Sequence, residues 1–223
     1  MSARDDILGT IRRSLGVTGR ETTRTTVVDE RLAKAAPGLV PQRGALTGEA
    51  LLELFRTQAE ATLATVDVVA DASAVPAAVA TYLRGLNLPA RLRMGDDPRL
   101  AAMPWAETAL DVAHGRSDGD DLVAVAHAFG GVAETGTLVL VSGPGNPTTL
   151  NFLPDYAIAV VRESDIAGAY ETVWERLRIA YGKGEMPRTV NWVTGPSRSG
   201  DIEQTILLGA HGPRSVHIVV VRG

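Results

Sequence analysis

The chain has 223 residues, 45% of them hydrophobic and 22% charged, a globular composition long enough to bury a full core. A formal charge of −4 provides no basic field for nucleic acid, and the absence of cysteine excludes disulfides, thiolate catalysis and any thiolate-held iron–sulfur cluster within this chain. Aromatics make up only 4%, so the core must be built from Val, Leu, Ile and Ala. The four histidines show no metal-ligand spacing, and no metal site is expected. No run approaches the roughly 20 apolar residues that span a bilayer, and the N-terminus lacks the features of a signal peptide; a cytoplasmic protein without a membrane span is expected.

The spacing of Ile7, Leu8, Ile11 and Leu15 predicts an amphipathic helix that starts at Ser2 and stops at Gly16. Residues 17–44 are threonine-rich and punctuated by Pro and Gly, so they read as a linker. The expected organisation is therefore an arm over residues 1–44 and an α/β domain over 45–223. From Thr47 the pattern alternates. A helix carries Leu51, Leu52, Phe55 and Ala59 on one side, VDVVA is a strand, and a helix from Ser73 accommodates Pro76 in its first turn. PARLRM, TALDVA and DLVAVAHAF follow as strands, the first with arginines on a wetter face. GTLVLVS and AIAVV flank a long connection. Then come a helix over ESDIAGAYETVWERLRIAYG, the strand TVNWVTG, a helix over SGDIEQTILLGA and the closing strand SVHIVVV.

Strands rich in Val and Leu, separated by helices, predict an open, mainly parallel sheet with helices on both faces. Between 121 and 161 three strands succeed one another without a helix, which predicts an antiparallel or mixed corner of that sheet.

Ligands in such folds bind beyond the carboxyl ends of strands. The loop VTGPSRSGDIEQ, residues 193–204, looks like such a place. Thr194, Gly195, Ser197, Arg198 and Ser199 lead into an expected helix start, where N–H groups, hydroxyls and a guanidinium suit a small anion. The competing reading is a self-capped loop, with Asp201 and Glu203 satisfying the helix end. The second candidate is AETGT. Glu134 is a poor strand residue between apolar runs, so it is either a general base or nucleophile in a crevice, with Thr135, Gly136 and Thr137 beside it, or a residue that holds a turn. The connection 142–156 reads as an ordered binding loop with Asn146, Thr148, Thr149 and Asn151 as polar contributors. Among the histidines, His127 and His217 read as satisfied strand residues. His211 is the catalytic candidate, against a simple helix-end role. Trp105, Trp174 and Trp192 read as packing residues. Neither G-x-G-x-x-G nor a P-loop is present.

GVAETGTLVLVSGPGNPTTLNFLPDYAIAVV and TGPSRSGDIEQTILLGAHGP, with the N-terminal SARDDILGTIRRSLG, resemble the LUD-domain family of lactate-utilization proteins. The resemblance spans nearly the whole chain. It implies a fold of the ribose-phosphate isomerase and CoA-transferase group, and a role in oxidising L-lactate to pyruvate beside other lactate-utilization subunits that carry iron–sulfur clusters. Two departures stand out: Ala157 occupies a place where relatives often have His, and Gly200 one where they have Ala or another small residue.

Three functions follow. One is a subunit of a lactate-utilization system that binds a small anionic ligand and has no intrinsic cofactor; no side chain here accepts two electrons, so the purified chain is not expected to oxidise lactate. The second is a stand-alone isomerase, CoA-transferase or cyclo-ligase-like enzyme acting on a phosphate or carboxylate. The third is a non-catalytic assembly subunit docking through its arm. A homo-oligomer is compatible with each.

Overall fold

The computed structural model describes residues 2–34, 36, 38–182, 184–199 and 207–223. The chain divides into two units, Met1–Leu39 and Val40–Gly223. In the first, α1 (Ala3–Leu15) begins with the capping box that Ser2 and Asp5 form and ends at Gly16 in the left-handed conformation. Its Ile7, Ile11 and Leu15 are exposed. The stretch read as linker carries a second helix, α2 (Thr22–Lys34), with no buried residue. Its β-branched threonines and valines obscure the helical signal.

The second unit runs α3 (Gly48–Ala61), β1 (Thr65–Val69), α4 (Val75–Gly85), β2 (Arg91–Met94), α5 (Pro98–Ala101), β3 (Asp111–His114), β4 (Val123–His127), β5 (Gly130–Val132), β6 (Thr137–Val141), α6 (Thr148–Phe152), β7 (Tyr156–Arg162), β8 (Ile166–Ala167), α7 (Tyr170–Tyr181), β9 (Val190–Val193), β10 (Arg198–Ser199), β11 (Leu207–Leu208) and β12 (Ser215–Val221). Six strands form one parallel sheet in the order β1-β12-β7-β4-β2-β3. The α/β reading with a parallel sheet is therefore correct. One face of the sheet packs α4 and α5, burying Val79, Leu83, Leu92, Met94, Leu100 and Val125. The other packs Leu52, Phe55 and Ala59 of α3, together with Leu138 and Leu140 of β6.

Three expectations are corrected. The strands between β4 and β7 are not a corner of the parallel sheet: β5 and β6 leave it and build a separate sheet in the order β8-β5-β6-β9. Both arrangements demand the same apolar hairpin, so periodicity could not separate them. The helix expected from Glu163 starts only at Tyr170; Glu163–Asp165 is a 3-10 turn and Ile166–Ala167 pairs with Gly131 and Val132. Of the helix expected over SGDIEQTILLGA, residues 200–206 lie outside the described residues, and Leu207–Leu208 pairs antiparallel with Arg198–Ser199.

Gly136 fixes how the second sheet sits. It adopts φ +66°, and a Cβ there would collide with the backbone nitrogen of Ala59 in α3. Gly136→Ala should therefore lower the unfolding free energy by about 2–4 kcal/mol, whereas Gly143→Ala, in open space, should stay within about 0.5 kcal/mol. Urea denaturation of the two variants checks this; equal midpoints would refute the close approach.

His217 of β12 is buried, stacked on Tyr82 at 3.9 Å, with Nδ1 2.8 Å from Thr65 Oγ1 and Nε2 without a hydrogen bond. Burial pushes its pKa down to about 4, and the opposing charge of Asp67 only offsets this in part. The unfolded imidazole takes its proton near 6.5, so between that pH and 4 the unfolded chain binds more protons. Stability is full above this window and falls as pH drops through it, by about 3 kcal/mol. His217→Gln should flatten that fall in denaturation curves taken from pH 7 to 4.

Candidate functional site

A cavity of about 230 Å³ lies between the two sheets. Its floor is a row of small side chains, Ala124 and Ala126 of β4 and Ala157 and Ala159 of β7, which face the second sheet. Where larger side chains would fill the inter-sheet space, these alanines leave it open. Leu138, Leu140, Trp192 and Val193 form the roof, and α6 closes one side with Leu150, Asn151 and Phe152. The remaining rim is two loops, Thr194–Ser197 and His211–Pro213.

Those loops are tied at Ser197. Its N–H donates to Pro213 O at 2.8 Å, its carbonyl accepts from Gly209 N–H at 2.9 Å, and its hydroxyl accepts from His211 N–H at 3.3 Å. Gly195, at φ +69°, lies against the carbonyl of Thr62 at the end of α3, so a side chain there has no room. The structure thus brings Thr194, Gly195, Ser197 and His211 to one cavity. It does not bring Arg198 or Ser199, which are in β10 and do not line it. Nor does the loop leave a strand of the parallel sheet. The strand that ends at Val193 belongs to the second, antiparallel pairing, so the cavity opens over the amino-terminal halves of β4, β7 and β12. The N–H of Ser197 is already bonded; Asp201 and Glu203, the alternative caps, lie outside the described residues.

The AETGT turn lies elsewhere. Glu134 is 4% exposed but does not line the cavity. Its Oε1 accepts from Tyr170 N–H at 3.3 Å, the first residue of α7, whose N-cap Ala169 has no side chain to serve that end. Its Oε2 is 3.9 Å from Arg43 Nε. Thr135 and Thr137 approach each other at 2.7 Å, and both reach the Tyr170 hydroxyl, at 3.0 and 2.9 Å. Thr137 then meets Thr194 at 2.7 Å, so a chain of hydroxyls runs from the turn to the cavity wall. Asn146 is buried in the tight Gly143–Asn146 turn, donating to Val141 O at 3.2 Å, and is also off the cavity.

The most telling side chain is one that the sequence presents only as a loop contributor. Asn151 is 4% exposed, lines the cavity, and has hydrogen-bond partners for neither its amide nitrogen nor its oxygen. An unpaired buried amide costs about 1–3 kcal/mol unless something in the cavity satisfies it. A polar residue in a proline-stiffened loop was the only signal the sequence offered. Trp192, read as packing, meets the rings of Trp174 and Tyr170 at 5.0 and 5.2 Å, tilted by about 40° from each, and lines the cavity as well.

The family model described as LUD domain matches residues 52–221. The chain belongs to the LUD domain family. Lactate utilization protein C of Halalkalibacterium halodurans is 40% identical over 91 residues, which are 40% of this chain and 40% of that protein. A protein of the same name from Geobacillus thermodenitrificans is 31% identical over 144 residues, 56% of this chain and 60% of its own. Each match therefore spans less than two thirds of the relative's length. A crystal structure of a DUF162 family protein from Deinococcus radiodurans shares the fold, with a TM-score of 0.61 at 22% identity, covering 79% of this chain and 99% of that one. In this LUD domain the sequence holds no cysteine, and among the described residues no three His, Asp or Glu side chains gather to hold a metal. Those residues do not fit an iron–sulfur cluster.

The contacts of Glu134 give it a measurable structural duty. Glu134→Ala should cost about 1–2 kcal/mol by stranding the start of α7. Glu134→Gln, which keeps the accepting oxygen, should cost less than half as much. Denaturation midpoints decide; a Gln variant as unstable as the Ala variant would show that the charge, not the bond, matters.

Proposed function

We propose that this LUD domain serves a lactate-utilization system, holding a small 2-hydroxy or 2-keto carboxylate in the cavity between its sheets. The observation that carries the reading is Asn151, whose buried amide is unpartnered and faces a cavity large enough for a three-carbon acid. Its Nδ2 donates to a carboxylate, while its Oδ1 accepts from a hydroxyl. Thr194, Ser197 and His211 supply further polar atoms on the same rim, and the alanine floor with Trp192 excludes water from the apolar side of the ligand. The names of the relatives matched, which refer to lactate utilization, support this substrate class.

Oxidation of L-lactate to pyruvate releases two electrons, and no residue of this chain can store them. On this reading the electrons pass to iron–sulfur clusters on partner subunits, and the LUD domain contributes binding and orientation. Isothermal titration with L-lactate and pyruvate tests the binding step. Wild type should bind at least one, and Asn151→Leu should lose binding at least tenfold. The same change removes an unsatisfied buried amide, so it should hold or raise stability. Unchanged binding in Asn151→Leu, or no heat with either acid, would overturn the reading.

A further inference from the structure

A second hollow, of about 490 Å³, lies at the opposite ends of the parallel strands. It is lined by His127 at the end of β4, Arg162 at the end of β7, Val221 and Arg222 at the end of β12, and Arg99 and Met103 from the segment after β2. From β2 the chain moves outward to β3, whereas β4, β7 and β12 step the other way, so the order of strands reverses between β2 and β4. Crevices outside the carboxyl ends of strands at such a reversal are where open α/β sheets take ligands.

The charges there are not equivalent. Arg99 is committed to Asp97 through a two-bond fork, Nε to Oδ1 at 3.0 Å and Nη2 to Oδ2 at 2.6 Å. Arg222 grips Glu49 at 2.7 and 2.9 Å, with Glu163 3.7 Å away. Arg162 makes no ion pair among the described residues and is exposed to the crevice. Beside it His127 is 4% exposed and its ring is fixed: Nδ1 lies 2.8 Å from Ala128 O, and a carbonyl only accepts, so Nδ1 carries the proton. Burial, and then the Arg99 guanidinium, hold the His127 pKa below its ordinary value, with Arg162 adding to the effect. The ring is thereby neutral at physiological pH, and Nε2 is a hydrogen-bond acceptor.

We propose that this crevice binds a small molecule that presents one oxyanion, phosphate or carboxylate, to the guanidinium of Arg162 and a hydroxyl to Nε2 of His127. The fork of Arg162 suits two oxygens of one anion. The paired state of Arg99 and Arg222 limits the ligand to one anionic group, and the neutral imidazole selects a donor next to it. A hydroxy acid and a polyol phosphate share this chemistry. The site is separate from the inter-sheet cavity and does not depend on its assignment.

Titration calorimetry of the full chain with glycerol 3-phosphate and with 3-hydroxypropanoate, which lacks a 2-hydroxyl, tests it. At least one should bind wild type, and the tighter of the two names the oxyanion. Arg162→Met, at an exposed position that leaves the fold intact, should weaken binding at least tenfold, and Arg162→Lys should recover only part of it. Asn151→Leu should leave these affinities unchanged. The proposal fails if neither probe binds, if Arg162→Met binds as wild type, or if Asn151→Leu rather than Arg162→Met abolishes binding, which would put the ligand between the sheets.

Discussion

The last turn of α3 is the surface on which the molecule is assembled. Gly136, before β6, and Gly195, after β9, both press their backbones against it, at Ala59 and Thr62. Since β6 and β9 are neighbours in the second sheet, these two approaches fix that sheet's height and angle over the parallel one. Leu138 and Leu140 then meet the parallel sheet beside α3, while the alanine row of β4 and β7 keeps the neighbouring space open. Cavity and core are two outcomes of one docking. Leucine on one side and alanine on the other decide which.

The AETGT turn works within that docking. Glu134 serves the start of α7, Thr135 and Thr137 hold the Tyr170 hydroxyl, and Gly136 clears the α3 backbone. Each residue type has a contact that would be lost on substitution. A carboxylate between two apolar runs therefore need not mark a ligand, because an uncapped helix buried in the same layer places the same demand on the sequence. The hydroxyl chain through Thr137 to Thr194 does connect this clamp to the cavity wall.

Much of the fold was legible because the signals were local. Ser2 and Asp5 announce the first helix, Pro76 sits in the first turn of α4, and the Val-rich runs of β7 and β12 read as strands buried on both faces. The second sheet was not legible. An apolar hairpin has the same period whether it stays in its sheet or leaves it, and only the alanines facing it across the gap reveal its neighbour. Ile166 shows the same limit: it continues the helical stripe of Tyr170, Val173 and Leu177 on paper, yet pairs with Gly131 as a strand. Of the candidate site, Thr194, Ser197 and His211 could be named because two short loops contain them. His127, Arg162 and Arg99 could not be grouped, since each ends or follows a different strand and only the reversal of strand order brings them together.

Ala157 narrows what the inter-sheet cavity can do. Its place on the floor means that an imidazole at this position, as the family resemblance leads one to expect, would project into the space a ligand occupies. With alanine there, the cavity is wider and less basic, and His211 is the imidazole that remains on its rim among the described residues. His211 stands on an exposed loop fastened through the Ser197 hydroxyl rather than on a buried strand. On the proposed reading Asn151 is the better placed of the two for recognition, because it is buried within α6 with both amide atoms unpaired, whereas His211 lies at the solvent-exposed rim.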